Sequence, residues 1–426
     1  MTGAAPRSYP AALDAVLALA AGRATPAETG SLERALGRAL ATPVVAPLAL
    51  PPWDNAGMDG YAVQRGDVAG ASAAAPVTLS VVGTSAAGAD PQALPTVRPG
   101  TAVRIMTGAP LPPGADAVVR VEDTASLTEQ GVMRVAVRDA RDAAGRGNVR
   151  PRGEEFRTGE VALAAGTTVT PAVLGVLASL GAATVGVHRA PRVAVVSGGD
   201  ELVLLDRFDE VLAGRRIVSS SSYALPALLR QAGAEVTVAP LVPDTLEAMV
   251  GALEQALAAG CDLLVTTGGV SVGAHDHVRD AVAQLGGTQH FWRARIRPGG
   301  PIGTGEVRGV PWLGLPGNPV STLVTATLFA RPLLRALGGH AHRALPAVPV
   351  VMRDAADTPA PLTYFLRVRV SAGEDGRMEA RLAGAQGSNL LRSMAEANAL
   401  LLVPEAVARV APDSVHTALL LPDGAW

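Results

Sequence analysis

The chain has 426 residues, 48% hydrophobic and 17% charged, with a formal net charge of −2. This length predicts about two to four domains, and the near-neutral balance gives no sign of a polyanion-binding surface or an acidic disordered tail. All 36 residues counted as Lys+Arg are arginine, which excludes a phosphate loop of the Gly-Lys-Ser/Thr type and a lysine Schiff base. Cys261 is the only cysteine, so an internal disulfide and a cysteine metal cluster are excluded too. Its place before an apolar strand reads as a buried inert thiol. Residues 1–10 lack a basic stretch followed by an apolar core, and no later apolar run approaches the roughly 20 residues of a membrane helix. The expectation is a cytoplasmic protein with no membrane and no nucleic-acid partner.

In chain order, Pro52-Trp53-Asp54-Asn55-Ala56-Gly57-Met58-Asp59-Gly60-Tyr61-Ala62 comes first. It sets carboxylates in a Gly-containing stretch without periodicity, and such loops carry function more often than packing does. Short apolar runs at 77–82, 102–105 and 117–121, separated by Gly/Pro turns, predict a small β-rich module, and a helix is expected over 171–180. Residues 192–197 read as a buried strand closing on Gly198-Gly199-Asp200-Glu201. A helix over 223–231 and a strand over 235–241 follow. Asp244-Thr245-Leu246-Glu247 then gives the signature that starts a helix running to about residue 259.

The strand 262–267 enters Thr266-Thr267-Gly268-Gly269-Val270-Ser271-Val272-Gly273, and a second apolar run enters Leu313-Gly314-Leu315-Pro316-Gly317-Asn318-Pro319-Val320-Ser321. Each reads as strand, turn, helix, leaving backbone N–H groups free to hold phosphate or another oxyanion. The alternation of strands and helices predicts a doubly wound parallel sheet, with ligands outside the carboxyl ends of its strands. Asp200, Glu201, Asp244, Ser271, Asp276 and Asn318 should share that edge. Runs at 346–352, 364–370 and 399–403 predict a C-terminal β domain.

Several of these residues have simpler readings. Asp276 caps the run 277–285 as readily as it binds a ligand, and Asp244 makes a capping box with Glu247. Asp200 and Glu201 suit a metal or a raised carboxyl pKa, although paired acids are usually just solvated. His275 and His277 read as surface residues, and Trp53 and Trp292 as packing residues.

Together with Arg104-Ile105-Met106-Thr107-Gly108-Ala109-Pro110, Gly114-Ala115-Asp116-Ala117-Val118-Val119, Asn148-Val149-Arg150-Pro151-Arg152-Gly153-Glu154-Glu155 and Gly384-Ala385-Gln386-Gly387-Ser388, these segments resemble the molybdopterin molybdenumtransferase family. That family comprises the MoeA-like proteins and the E domain of gephyrin, and the resemblance covers nearly the whole chain in order and spacing. It implies an elongated homodimer of four-domain subunits. The domains fall at 1–46 with 155–182 (helical linker), 47–154 (β-rich insert), 183–337 (the α/β molybdopterin-binding domain) and 338–426 (C-terminal β). It implies that adenylylated molybdopterin and molybdate react with Mg2+ or another divalent cation, placing molybdenum on the dithiolene and releasing AMP. A molybdopterin-adenylylating partner is a possible supplier of the substrate.

Carried onto this sequence, the resemblance gives catalytic roles to Asp59, Glu201, Asp276 and Arg297, and metal roles to Asp200, Glu201, Asp244 and Asp276. Substrate contacts fall to Thr107, Gly268, Gly269, Ser271, Gly273, Pro316, Gly317, Asn318, Ser321 and Ser388. Asp59 and Thr107 belong to the upstream domain and, in the dimer, face the glycine turns of the other subunit. Four departures stand out. Arg297-Pro298-Gly299-Gly300-Pro301 replaces the usual Lys-Pro-Gly-Lys-Pro, so Arg297 keeps a charge and Gly300 removes one. Ser197-Gly198-Gly199-Asp200-Glu201 replaces Ser-Thr-Gly-Asp-Glu, Ser219-Ser220 replaces Ser-Asn, and Glu155 stands for aspartate. The alternatives are a degenerate pterin-binding or assembly module with weak transfer, and a molybdopterin adenylyltransferase.

Overall fold

A computed structural model describes residues 5–143, 145, 147–269, 277–359 and 361–422. The chain divides into two compact units, 43–164 and the combination of 1–42 with 165–426.

The smaller unit is built on six strands, β1 (Gly60–Val63), β2 (Val77–Ser85), β3 (Thr101–Ile105), β4 (Ala117–Arg120), β5 (Thr124–Glu129) and β6 (Val132–Val137), in the order β4-β1-β3-β2-β6-β5. All four residues of β1 are buried, as a central strand covered on both faces requires. Gly60 is obligatory there: a Cβ would lie 1.9 Å from the Val119 carbonyl oxygen. The expected insert, 47–154, is extended at both ends because Val44–Val45 pairs with Val161–Leu163, and Leu50 bridges to Phe156.

In the larger unit, helices α1 (Tyr9–Ala18) and α2 (Pro171–Ser179) precede the α/β domain. That domain runs β7 (Arg192–Ser197), α3 (Ser221–Gln231), β8 (Glu235–Val238), α4 (Leu246–Ala258), β9 (Leu263–Thr267), α5 (His277–Gln284), β10 (Thr288–Arg293), β11 (Pro301–Val307), β12 (Val310–Leu315), α6 (Pro319–Thr325) and α7 (Arg331–Leu337). Strand order is β8-β7-β9-β12-β11-β10. The first four are parallel, as expected, while β11 and β10 extend the sheet antiparallel. The cause of that extension is local. Arg308 and Gly309 both have positive φ (48° and 79°), the geometry of a two-residue hairpin turn, so β12 folds straight back on β11.

Side-chain alternation buries the sheet on both faces. Val193 and Val195 pack with Leu225, Leu229 and Val324 on one face, and Ala194 and Val196 with Met249, Leu253 and Val282 on the other. β8 stops at Val238 rather than 241, just short of Pro240, which has no N–H for a ladder. Residues 319–337 form one 19-residue helix, with a π turn at Ala326–Ala330 joining α6 to α7. This corrects the expectation that no apolar run approaches membrane length: the helix is long and apolar enough, and 83% of its most apolar window is buried inside the domain. A helix covered all round by core carries apolar residues all round.

Beyond it lie β13 (Ala347–Met352), β14 (Thr363–Ala372), β15 (Met378–Leu382), β16 (Ala399–Val403) and β17 (Val415–Leu420). β14 pairs with both β15 and β16, and β13 with β15 and β17, so the five strands close on themselves and leave few free edges.

Candidate functional site

The two glycine turns lie side by side because the strands that feed them are neighbours: β9 and β12 are parallel, with Thr267 opposite Leu315. Gly268 has φ +81°, and its N–H donates to the Leu315 carbonyl at 3.2 Å. A Cβ on Gly317 would sit 3.3 Å from the Gly268 Cα, so small residues let the turns approach. Beside them opens a cleft of about 530 Å³, lined by Gly268, Gly269, Pro316, Gly317, Asn318 and Ser321. Hydroxyls line it as well. Ser197, Ser219, Ser221 and Thr267 join Ser321 there. The Ser197 Oγ is buried without a partner among the described residues, as befits a group that waits for a ligand.

The carboxylates divide into two kinds. The Asp244 N–H donates to Asp200 Oδ1 at 3.2 Å and the Asp200 N–H to Asp244 Oδ2 at 3.1 Å, so this pair stitches the loop after β7 to the loop before α4. The helix cap expected at Asp244 belongs instead to Thr245, whose hydroxyl accepts from the Ala248 N–H at 3.3 Å. Glu201 lines the cleft with Asp244 and has no ion-pair partner among the described residues. Ser271, Gly273, His275 and Asp276 lie outside the described residues. Among those described, no cluster of three or more His, Cys, Asp or Glu side chains is placed to hold a metal ion.

A second cavity, about 580 Å³, adjoins the first and shares Pro301, Asn318 and Ser321 with it. It holds Arg297, Gly300 and Ser388. Arg297 ends the short strand Ile296–Arg297, which pairs with Thr363 and Tyr364 of β14, and its guanidinium stands 5.9 Å from the Tyr364 ring centroid. The Ser388 carbonyl accepts from the Val320 N–H at 3.1 Å, at the start of α6. Gly300 has no positive φ, and a Cβ there would meet the Ile296 and Ala294 carbonyl oxygens at 3.3 and 3.4 Å.

Arg367, on β14, escaped the sequence reading, because a single arginine in an alternating strand carries no motif. It is 1% exposed and has no ion-pair partner among the described residues. Its Nη2 donates to the Gly387 carbonyl at 3.0 Å and to that of Ala385 at 3.3 Å, and its Nε donates to Ser393 Oγ at 3.2 Å. Gln386 clasps the Arg367 backbone from the other side, at 2.8 and 3.0 Å. Together they fix the loop that presents Ser388.

In the smaller unit, Asp59 Oδ1 accepts from both the N–H and the hydroxyl of Thr107, each at 2.7 Å. The pairing of β1 with β3 sets up this contact, since Gly60 stands opposite Ile105. The Thr107 N–H, then its hydroxyl, hold the Asp59 carboxyl below the usual carboxylate range. Trp53 is 39% exposed, whereas Trp292 packs against Trp312 with ring centroids 5.8 Å apart. Cys261 is only half-buried, yet burial pushes its thiol up to about 11, consistent with an inert group.

Residues 7–181 match the MoeA N-terminal region (domain I and II), residues 194–336 the probable molybdopterin binding domain, and residues 349–417 the MoeA C-terminal region (domain IV). Molybdopterin molybdenumtransferase 2 of Mycobacterium tuberculosis is 40% identical over 389 residues, covering 90% of this chain and 92% of its own length. The molybdopterin molybdenumtransferase of Nostoc sp. is 37% identical over 382 residues, covering 88% and 85%. The crystal structure of the molybdopterin biosynthesis moeA protein from Pyrococcus horikoshii matches with a TM-score of 0.81 at 27% identity, covering 98% of this chain and 100% of that one.

Proposed function

Because the chain belongs to the MoeA family of molybdopterin molybdenumtransferases, enzymes of molybdenum cofactor biosynthesis, we propose that it inserts molybdenum from molybdate into adenylylated molybdopterin with release of AMP. The observation that carries this reading is the shared wall of the two cavities at Pro301, Asn318 and Ser321. The N–H groups of the glycine turns suit the phosphates of the pterin substrate. Arg297, beside the same wall, suits a tetrahedral oxyanion. The two reactants then meet across Asn318 and Ser321.

Glu201 and Asp244 supply only oxygen donors, as a hard divalent cation requires, and the Glu201 carboxylate is not committed to an arginine. They would hold Mg2+ or a similar ion, together with Asp276. Such a cation would neutralise phosphate charge and act as a Lewis acid at the bond to AMP. The chain's own groups bind and orient: the turns fix the phosphates, Arg297 holds molybdate, and Ser388 is set by Arg367 and Gln386 at the rim of the oxyanion cavity. In this reading the active form is a homodimer in which Asp59 and Thr107 of one chain serve the cleft of the other, and a separate protein adenylylates molybdopterin. The missing cation at Gly300 favours a second reading, a pterin-binding module with weak transfer.

Incubation with adenylylated molybdopterin, Mg2+ and molybdate tests the proposal. AMP release that depends on molybdate supports it. Tight pterin binding without AMP release would leave the second reading, and pyrophosphate release in a parallel incubation with ATP and molybdopterin would point to the adenylyltransferase.

A further inference from the structure

A third cavity, of about 430 Å³, shares no lining residue with the other two. It is lined by Arg38, Arg189, Arg230 and Arg335 with His188 and His340, and no aspartate or glutamate lines it. Two of these arginines have carboxylates elsewhere: Arg38 bonds Glu28 at 2.7 Å, and Arg189 forks onto Asp262 at 2.8 Å to each oxygen. The other two have none within ion-pair distance among the described residues. Arg335 donates Nε to the His342 carbonyl at 2.7 Å and Nη2 to the Thr168 hydroxyl at 3.0 Å, and Arg230 donates Nη2 to the Val236 carbonyl at 3.2 Å. Of the five N–H donors on each guanidinium, three on Arg335 and four on Arg230 therefore have no protein acceptor among the described residues.

Each histidine has its Nδ1 tied down by a hydrogen bond. Thr168 Oγ1 accepts from Arg335 Nη2 and shares a hydrogen bond with His340 Nδ1 at 2.8 Å, which anchors that ring at the cavity wall. His188 Nδ1 donates to the Thr25 carbonyl at 2.6 Å. Burial, with the charges of Arg335, His188 and Arg331, pushes His340 down to about 4, and burial lowers Arg335 as well. Two helices, α3 and α7, end at this cavity. Their C-terminal dipoles are each worth roughly half a negative charge, which together offset one guanidinium and leave the other.

We propose that this cavity binds a phosphate group, free or carried on a small organic molecule, gripped by the uncommitted N–H groups of Arg230 and Arg335. A planar guanidinium fork matches two phosphate oxygens. The His340 ring forms part of the same wall. The site is independent of the molybdenum chemistry, so it stands or falls separately from the reading above.

The test uses the full chain at pH 7.5 and follows the imidazole 1H–13C signals of His188 and His340, assigned through His188→Gln and His340→Gln. Sodium phosphate and glucose 6-phosphate are titrated against sodium chloride at matched ionic strength. Saturable shifts of both signals with phosphate and not with chloride are expected. The same response to glucose 6-phosphate assigns a phosphate ester, and a response to inorganic phosphate alone assigns the free ion. Each charge-assisted contact is worth about 1.5–3 kcal/mol, so Arg335→Gln should weaken binding by tenfold or more. Arg230→Gln, at an exposed position, should weaken it severalfold without affecting folding. Equal shifts in chloride, a linear response without saturation, or unchanged binding in Arg230→Gln would overturn the proposal.

Discussion

The two adjoining cavities are built by different means. The cleft beside the glycine turns is made of main chain: neighbouring parallel strands, two turns in contact, and a row of hydroxyls. The Arg297 cavity is made of side chains held from a distance, since Arg297 is aligned by β14 and the Ser388 loop is held by Arg367. A backbone-built site is damaged by added atoms, whereas a side-chain-built site is damaged by lost charges. That difference can be broken or sharpened by substitution.

The largest effect is expected at Glu201, the one carboxylate of the cleft edge that no backbone N–H or arginine engages among the described residues. Glu201→Gln should lower AMP release and its Mg2+ dependence by roughly 10–100-fold, the range seen when groups supporting a metal site are lost. Unchanged Mg2+ dependence would remove Glu201 from the metal site. Next comes Gly268→Ala. It forces a side chain onto φ +81° and sets a Cβ 3.1 Å from the Gly198 carbonyl oxygen, which should cost about 1–3 kcal/mol of stability and weaken pterin binding. Denaturant unfolding and pterin binding by fluorescence would check it, and a variant as stable as the parent would show that the turn relaxes.

Gly300→Arg reverses the sign. The φ there is not positive, and a Cβ needs the Ile296 and Ala294 carbonyls, at 3.3 and 3.4 Å, to give by only a few tenths of an ångström. The added cation should lower the molybdate concentration for half-maximal transfer roughly tenfold, the worth of one charge-assisted bond. Pterin binding should not change. The smallest effect is at Thr245→Ala, which removes the cap of α4 and should cost about 1 kcal/mol in denaturant unfolding. Asp244→Ala, by contrast, should leave α4 capped and loosen the loop of Asp200.

What was legible in the sequence follows the same division. The strand, turn and helix order, the two glycine turns and their common edge could be read because Gly, Pro and alternating apolar residues act locally. The capping signature was read one residue early: Asp and Thr are both good caps, and the contact with Asp200 that occupies Asp244 lies 44 residues away. Arg367 and Gln386 could not be found at all, since their roles arise only where β14 meets the loop at 384–388. The antiparallel extension of the sheet rests on the positive φ of Arg308, a residue type with no turn preference to announce it.

The most direct test of one site made from two cavities is the molybdate dependence of AMP release in Arg297→Ala, measured beside the affinity for adenylylated molybdopterin. The expected result is a molybdate requirement raised about tenfold or more, with pterin affinity within twofold or so of the parent. Equal losses in both, or no change in the molybdate requirement, would contradict a division of labour between the glycine turns and Arg297.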